Sequence, residues 1–171
     1  MQKVLCTTLL IEKSPQALPL GVACIASAIK NDDRTKNFYN VELCDFCKES
    51  PEIKKILSGA EIGAEKNAGE MQTGSYIAEQ LAKKSPQIVL FSIYVWNHVA
   101  LENAARCLKK INPKIKICFL FTDIVDSYKK GFDMKIAKEK FDALLSFDNE
   151  DSEKFGLSYY PHLVPFPRKS Y

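Results

Sequence analysis

Residues 87–105 read Gln-Ile-Val-Leu-Phe-Ser-Ile-Tyr-Val-Trp-Asn-His-Val-Ala-Leu-Glu-Asn-Ala-Ala. The stretch opens on an unbroken apolar run, Ile88 to Phe91, the pattern of a strand buried on both faces. It passes through Ser92, Tyr94, Trp96 and Asn97. From His98 onward Val99, Leu101, Ala104, Ala105, Leu108 and Ile111 fall on one broad helical face. A buried strand, a short loop and an amphipathic helix make half of a βαβ unit. In open α/β sheets ligands sit outside the carboxyl ends of the strands. This loop holds the only Trp of the chain and one of its two His, so a ligand site is expected to centre here.

The same alternation extends in both directions. Residues 3–11 form a β-rich run without clean alternation, as in a central strand, and residues 12–19 a loop closed by two prolines. A helix with small residues on one face follows over 20–30. Residues 38–46 alternate and predict a more exposed, edge-like strand. Residues 51–57 predict a short helix, with Pro51 allowed in its first turn. Residues 58–75 hold Gly59, Gly63, Gly69 and Gly74, four of the seven glycines, and read as loop or poor helix, since glycine is costly inside one. Helical spacing returns over 75–84. Further strands are expected at 114–121, 143–147 and 158–164. Short helices are expected at 134–141 and, ended by Gly156, at 148–155. The pattern predicts a three-layer α/β sandwich, flavodoxin-like or Rossmann-like, with a mainly parallel sheet in the order 2-1-3-4-5 and an extra strand after the fifth. One domain over 1–164 and a loose tail over 165–171 are expected.

The 171 residues suffice for one sizeable core. A net charge of +3, from 24 basic and 21 acidic residues evenly interspersed, gives no footprint for nucleic acid. No apolar run is long enough for a membrane span. The amino-terminal apolar residues are followed at once by Glu12 and Lys13, which reads as a strand rather than a leader. Most of the six cysteines lie within apolar runs, as small hydrophobes of a reducing cytosol do. Cys44 and Cys47 form a lone CxxC at a strand end, favouring a structural role over metal or redox chemistry. Neither GxGxxG nor GxxxxGK[ST] occurs in the glycine-rich segment.

Two resemblances follow from these residues. Residues 9–30, with the entry Pro19-Leu20-Gly21-Val-Ala into the first helix, resemble the start of the cobalamin-binding domain of radical S-adenosylmethionine proteins. Residues 88–97, their helix and the Asn112-Pro113 turn are similar to the same domain. The likeness covers about 1–118, interrupted at 53–85. It implies cobalamin over the carboxyl ends of the strands, with contacts from Pro19, Leu20, Gly21, Ser92, Tyr94, Trp96, Asn97, Thr122 and Asp123. The chain departs from that family in three places. Phe121-Thr-Asp-Ile-Val-Asp stands where a Gly-Gly-Pro-Glu loop is usual. There is no DxHxxG, Trp96 standing two residues before His98, so the resemblance implies no protein His below the cobalt. There is no CxxxCxxC, so a radical S-adenosylmethionine barrel would have to be a partner and the chain no enzyme alone. Residues 119–171, with Phe-Asp, an acidic helix and Tyr-Tyr-Pro, resemble glycosyltransferase-like proteins of bacterial surface-polysaccharide gene sets. The readings are therefore a cytoplasmic cobalamin-binding module, a nucleotide-sugar-binding domain, or a composite α/β domain with no ligand.

Each candidate has a plainer reading beside it. Tyr94 and Trp96 could stack on a flat ligand or simply pack. Asn97 could meet a ligand amide or cap the next helix. Ser92 could face a phosphate, the corrin edge or a local backbone group. Asp123 and Asp126 could hold Mg²⁺ or a ribose, or cap a helix. His98 lacks a nearby carboxylate in sequence, the acidic run 148–153 reads as a solvated helix face, and His162 carries no assignment.

Overall fold

Branched and aromatic residues concentrate in short runs along the chain, and those runs form the sheet. The computed structural model describes residues 1–12, 20–60, 67–122 and 134–160. Its strands are β1 (Gln2–Thr7), β2 (Leu9–Leu10), β3 (Tyr39–Leu43), β4 (Phe46–Cys47), β5 (Ile88–Ile93), β6 (Lys116–Phe121), β7 (Ala143–Ser146) and β8 (Ser158–Tyr159). Its helices are α1 (Leu20–Asn31), α2 (Pro51–Ala60), α3 (Ala68–Lys83), α4 (His98–Ile111), α5 (Met134–Lys140) and α6 (Asn149–Phe155). Six strands form one sheet in the order β3-β1-β5-β6-β7-β8, and every described pairing in it is parallel. Counted along the chain without the short β2 and β4, that order is 2-1-3-4-5-6, as expected with the extra strand in place. β2 and β4 pair with each other and extend β1 and β3 beyond a break.

Alternation along the strands sends side chains to two faces. Leu5, Val89, Phe91, Ile117 and Phe119 meet α2, α3, α4 and α5 through Ile53, Ile77, Leu81, Leu101, Leu108 and Ala137. Val4, Cys6, Leu90 and Leu120 meet α1 through Val22, Ile25 and Ala26. The result is the three-layer α/β sandwich of a Rossmann-like fold. Phe119 lies at the centre of the larger core, edge-on to Phe91 at 5.6 Å and to Phe141 at 4.6 Å. The outer strand β3 is only partly covered, and Glu42 on it pairs with Lys3 and Lys84. Charged edges of this kind discourage pairing with a further strand.

The glycine-rich middle differs from expectation. α2 continues through Gly59, and α3 starts at Ala68 and contains both Gly69 and Gly74. Helix packing overrides the intrinsic cost of glycine here. A Cβ on Gly74 would lie 2.2 Å from the carbonyl oxygen of Ala100 and 2.9 Å from Cβ of Asn103, both on α4. One on Gly69 would press on Ala60 and Leu57 of α2. Gly69 and Gly74 thus sit where α3 packs on α2 and α4, whereas a Cβ on Gly59 would meet nothing within 4 Å. Residues 61–66, Gly63 among them, lie outside the described residues. So do residues 161–171, which contain the rest of the expected sixth strand, His162 and the tail.

The acidic helix α6 forms as the sequence predicts. Asp148 caps it by accepting from the Asp151 N–H at 2.9 Å, and Gly156 ends it in the left-handed region at φ 57°. Between β6 and β7, Asp142 accepts from Lys109 at 2.7 Å, Lys116 at 2.9 Å and the Ile117 N–H at 2.9 Å. Burial opposes its charge, but these three donors outweigh it and hold the carboxyl at about 2, below the ordinary 3.8. Because the folded value is depressed, the stabilisation is present above pH 4 and is lost as pH falls toward 2. Asp142→Asn is expected to cost about 1–2 kcal/mol at pH 7. Urea unfolding at pH 7 and at pH 2.5 checks this; the gap between the two proteins should shrink at the lower pH.

Candidate functional site

The strand that decides the fold also leads to the site. β5 ends at Ile93 between the carboxyl ends of β1 and β6. From β1 the chain crosses to β3 on one side, and from β5 to β6 on the other, so the order reverses between β1 and β5. That is the switch point at which open α/β sheets take ligands.

The first turn of α1 stands directly over the ends of β5 and β6. A Cβ on Gly21 would lie 3.0 Å from Ser92 Oγ, 3.1 Å from Thr122 Cγ2 and 3.6 Å from Leu120 Cδ2. Gly21, Ser92 and Thr122, widely separated in sequence, therefore converge. A side chain at position 21 would require Ser92 Oγ and Thr122 Cγ2 to give way slightly. Ser92 is 1% exposed, and its hydroxyl has no hydrogen-bond partner among the described residues. An unmatched buried hydroxyl costs about 1–3 kcal/mol. It lies beside the amino end of a 12-residue helix, where the helix dipole favours an anion. Thr122 is turned the other way: its Oγ1 donates to the Ile93 carbonyl at 2.5 Å, as does its N–H at 3.0 Å. It shapes the site through its methyl group.

Asn97 is wholly buried and fully engaged. Its Oδ1 accepts from the Tyr94 N–H at 2.8 Å, and its Nδ2 donates to Thr8 Oγ1 at 3.3 Å and to the Leu9 carbonyl at 3.2 Å. Thr8 Oγ1 in turn donates to the Ser92 carbonyl at 3.0 Å. Asn97 occupies the residue before α4, yet its side chain makes no capping bond. The capping reading is thereby corrected: local helix-start preference gives way to a long-range staple joining the loops after β1 and β5. The staple spans the β1–β5 gap.

Tyr94 and Trp96 stack on each other, with centroids 4.5 Å apart and planes 16° from parallel. Trp96 remains 42% exposed, while Phe121 is fully buried in the core. These aromatics therefore do not combine to plug the strand ends. His98 Nδ1 donates to the Val95 carbonyl at 2.9 Å within its own loop. Pro19 and Asp123 lie outside the described residues, as does Asp126, and Leu20 is described only as the first residue of α1.

Sequence reasoning missed Lys48 and Glu70. Lys48 follows β4, and its ammonium pairs with Glu70 of α3 at 2.5 Å and donates to the Trp96 carbonyl at 3.2 Å. The partners lie 22 and 48 residues away, so no local pattern could have revealed the junction. The lone CxxC shows no activated thiol at Cys44, whose pKa burial pushes up. Cys47 Sγ accepts from the Glu49 N–H. Among the described residues no group of three or more His, Cys, Asp or Glu could hold a metal ion. No described helix is long and apolar enough to cross a membrane.

No protein-family model matches the sequence, and no curated protein matches it. Solved structures do match in fold. A protein from Listeria monocytogenes assigned as a UDP-N-acetylglucosamine 2-epimerase superposes with a TM-score of 0.53 at 12% identity over 91% of this chain. The UDP-GlcNAc 2-epimerase of Neisseria meningitidis, solved with UDP-GlcNAc bound, gives 0.54 at 13% identity over 90%. The chain spans 42% of each of those proteins. The likeness supports the Rossmann-like sheet of the glycosyltransferase-like expectation; it offers nothing for a cobalamin-binding domain.

Proposed function

We propose that this chain is a nucleotide-sugar-binding Rossmann-like domain that holds a diphosphate at the amino end of α1. The observation carrying this reading is the convergence of Gly21, Ser92 and Thr122. A helix start is brought against a buried hydroxyl that lacks a partner, and a phosphate oxygen in front of α1 would meet both the N–H groups and Ser92 Oγ. The exposed face of Trp96 suits stacking by the base. The fold neighbours agree with this reading in kind.

A second reading, cobalamin, draws on the same aromatic pair, since a corrin edge is also flat. No contact among the described residues favours it over a nucleotide sugar, and His98 bonds the Val95 carbonyl of its own loop. In this reading the chain's own residues would contribute stacking from Trp96 and packing from Gly21.

Melting temperature separates the two, because a ligand that binds only the folded state must stabilise it. At a hundredfold excess over its dissociation constant a ligand adds about 2.7 kcal/mol, or roughly 5–10 °C for a chain of this size. UDP-N-acetylglucosamine is expected to produce that shift and cobalamin none. A shift with cobalamin alone would overturn the proposal in favour of the second reading, and no shift with either would remove both.

A further inference from the structure

We infer that Lys48 is a positioning residue that sets the Trp96 platform for the base, which rests on the nucleotide-sugar reading above. Lys48 is a three-way junction. Its backbone N–H donates to Leu10 at 2.9 Å and extends the β2–β4 ladder. Its ammonium pairs with Glu70 Oε1 at 2.5 Å and donates to the Trp96 carbonyl at 3.2 Å. The two side chains are only 20% and 23% exposed. The second carboxylate oxygen, Glu70 Oε2, is buried without a hydrogen-bond partner among the described residues.

For stability alone this is a poor arrangement. A half-buried ion pair loses much hydration, and an apolar pair of similar size often does as well or better. What an apolar pair could not do is fix a backbone carbonyl in an exposed loop. The other supports of the loop act on the two residues before Trp96: Asn97 grips the Tyr94 N–H, and His98 grips the Val95 carbonyl. Lys48 alone among the described residues is seen to hold Trp96 itself from a different part of the fold, while Tyr94 stacks on its ring. With its carbonyl tied, Trp96 keeps one face on Tyr94 and presents the rest outward. Glu70 holds the ammonium in place and keeps the lysine chain from swinging to solvent. The α3 helix, the end of β4 and the aromatic loop thus share one strut, and the platform is preformed rather than assembled around a ligand.

Trp96 is the only tryptophan, so its fluorescence reports the platform without any ligand. In Lys48→Met the emission is expected to shift to longer wavelength, and acrylamide quenching to rise about twofold. The UDP dissociation constant is expected to rise about tenfold, the usual scale for losing a charge-assisted hydrogen bond. Lys48→Met strands Glu70, so the variant could lose stability for that reason alone. The double variant Lys48→Met/Glu70→Gln removes both charges. It should recover most of the melting temperature yet keep the altered emission. Lys48→Arg, which can reach both partners, should restore the emission. Unchanged emission in both the single and the double variant would overturn the inference, as would return of wild-type emission in the double variant. Absence of UDP binding by the wild-type chain would instead count against the nucleotide-sugar reading and leave the emission test of the strut standing.

Discussion

Replacing Gly74 with alanine is expected to lower the stability of the chain by about 3 kcal/mol, the upper part of the usual range for overpacking. The added methyl group would sit 2.2 Å from the Ala100 carbonyl oxygen and 3.0 Å from the Ala104 nitrogen. Both are backbone atoms of α4, so no rotamer change relieves the clash. The two helices must separate, and Asn103 would then lose its bonds to the Met71 carbonyl at 2.6 Å and to Ser75 Oγ at 3.1 Å. Gly59→Ala is the matched control. It too is a helical glycine, but a Cβ there meets nothing within 4 Å. It should gain up to about 1 kcal/mol through helix propensity. Urea unfolding of both variants measures the difference, with m unchanged if only stability has moved. A Gly74→Ala loss below 1 kcal/mol would contradict the close helix crossing.

Asn97→Ala should cost a comparable amount, about 2–4 kcal/mol. It removes three hydrogen bonds at a position with no exposure and leaves the Leu9 carbonyl and Tyr94 N–H short of a partner. Asn97→Asp is expected to fare no better, because a carboxylate cannot donate to Thr8 and Leu9 and would be charged where there is no water. Both variants should also shift the emission of Trp96, whose loop the staple closes. If Asn97 were chiefly a ligand contact, its loss would weaken binding while leaving the urea midpoint in place. The two roles therefore give opposite results in one pair of measurements.

The fold was open to reading because its signals are local. An apolar run such as Ile88 to Phe91, a helical face such as that of residues 98–111, and a stop such as Gly156 each carry their meaning in neighbouring residues. Layer, strand order and most boundaries follow from such runs. Gly69 and Gly74 misled for the opposite reason. A glycine is a poor helix former in isolation, and only the neighbouring helix, about 10 residues back for Gly69 and about 30 residues on for Gly74, explains its presence. The site divides in the same way. Ser92 could be nominated from its place at a strand end, and Gly21 and Thr122 through the cobalamin-domain resemblance; the structure brings the three within contact. Asn97 was nominated too, but its side chain works across 88 and 89 residues to Leu9 and Thr8, a role that local capping rules do not contain. Lys48 gave no signal at all, because its meaning lies entirely in Glu70 and Trp96.

The central claim is that a nucleotide-sugar diphosphate sits in front of α1, over Ser92. Titrating ¹⁵N-labelled protein with UDP-N-acetylglucosamine and following amide chemical shifts tests it most directly. The account predicts saturable shifts at Gly21, Val22, Ser92, Ile93 and Thr122, together with the Trp96 indole N–H. Shifts confined to another surface, such as the basic groove of Arg106, Lys110 and Lys140, would contradict it, as would a spectrum left unchanged at millimolar ligand.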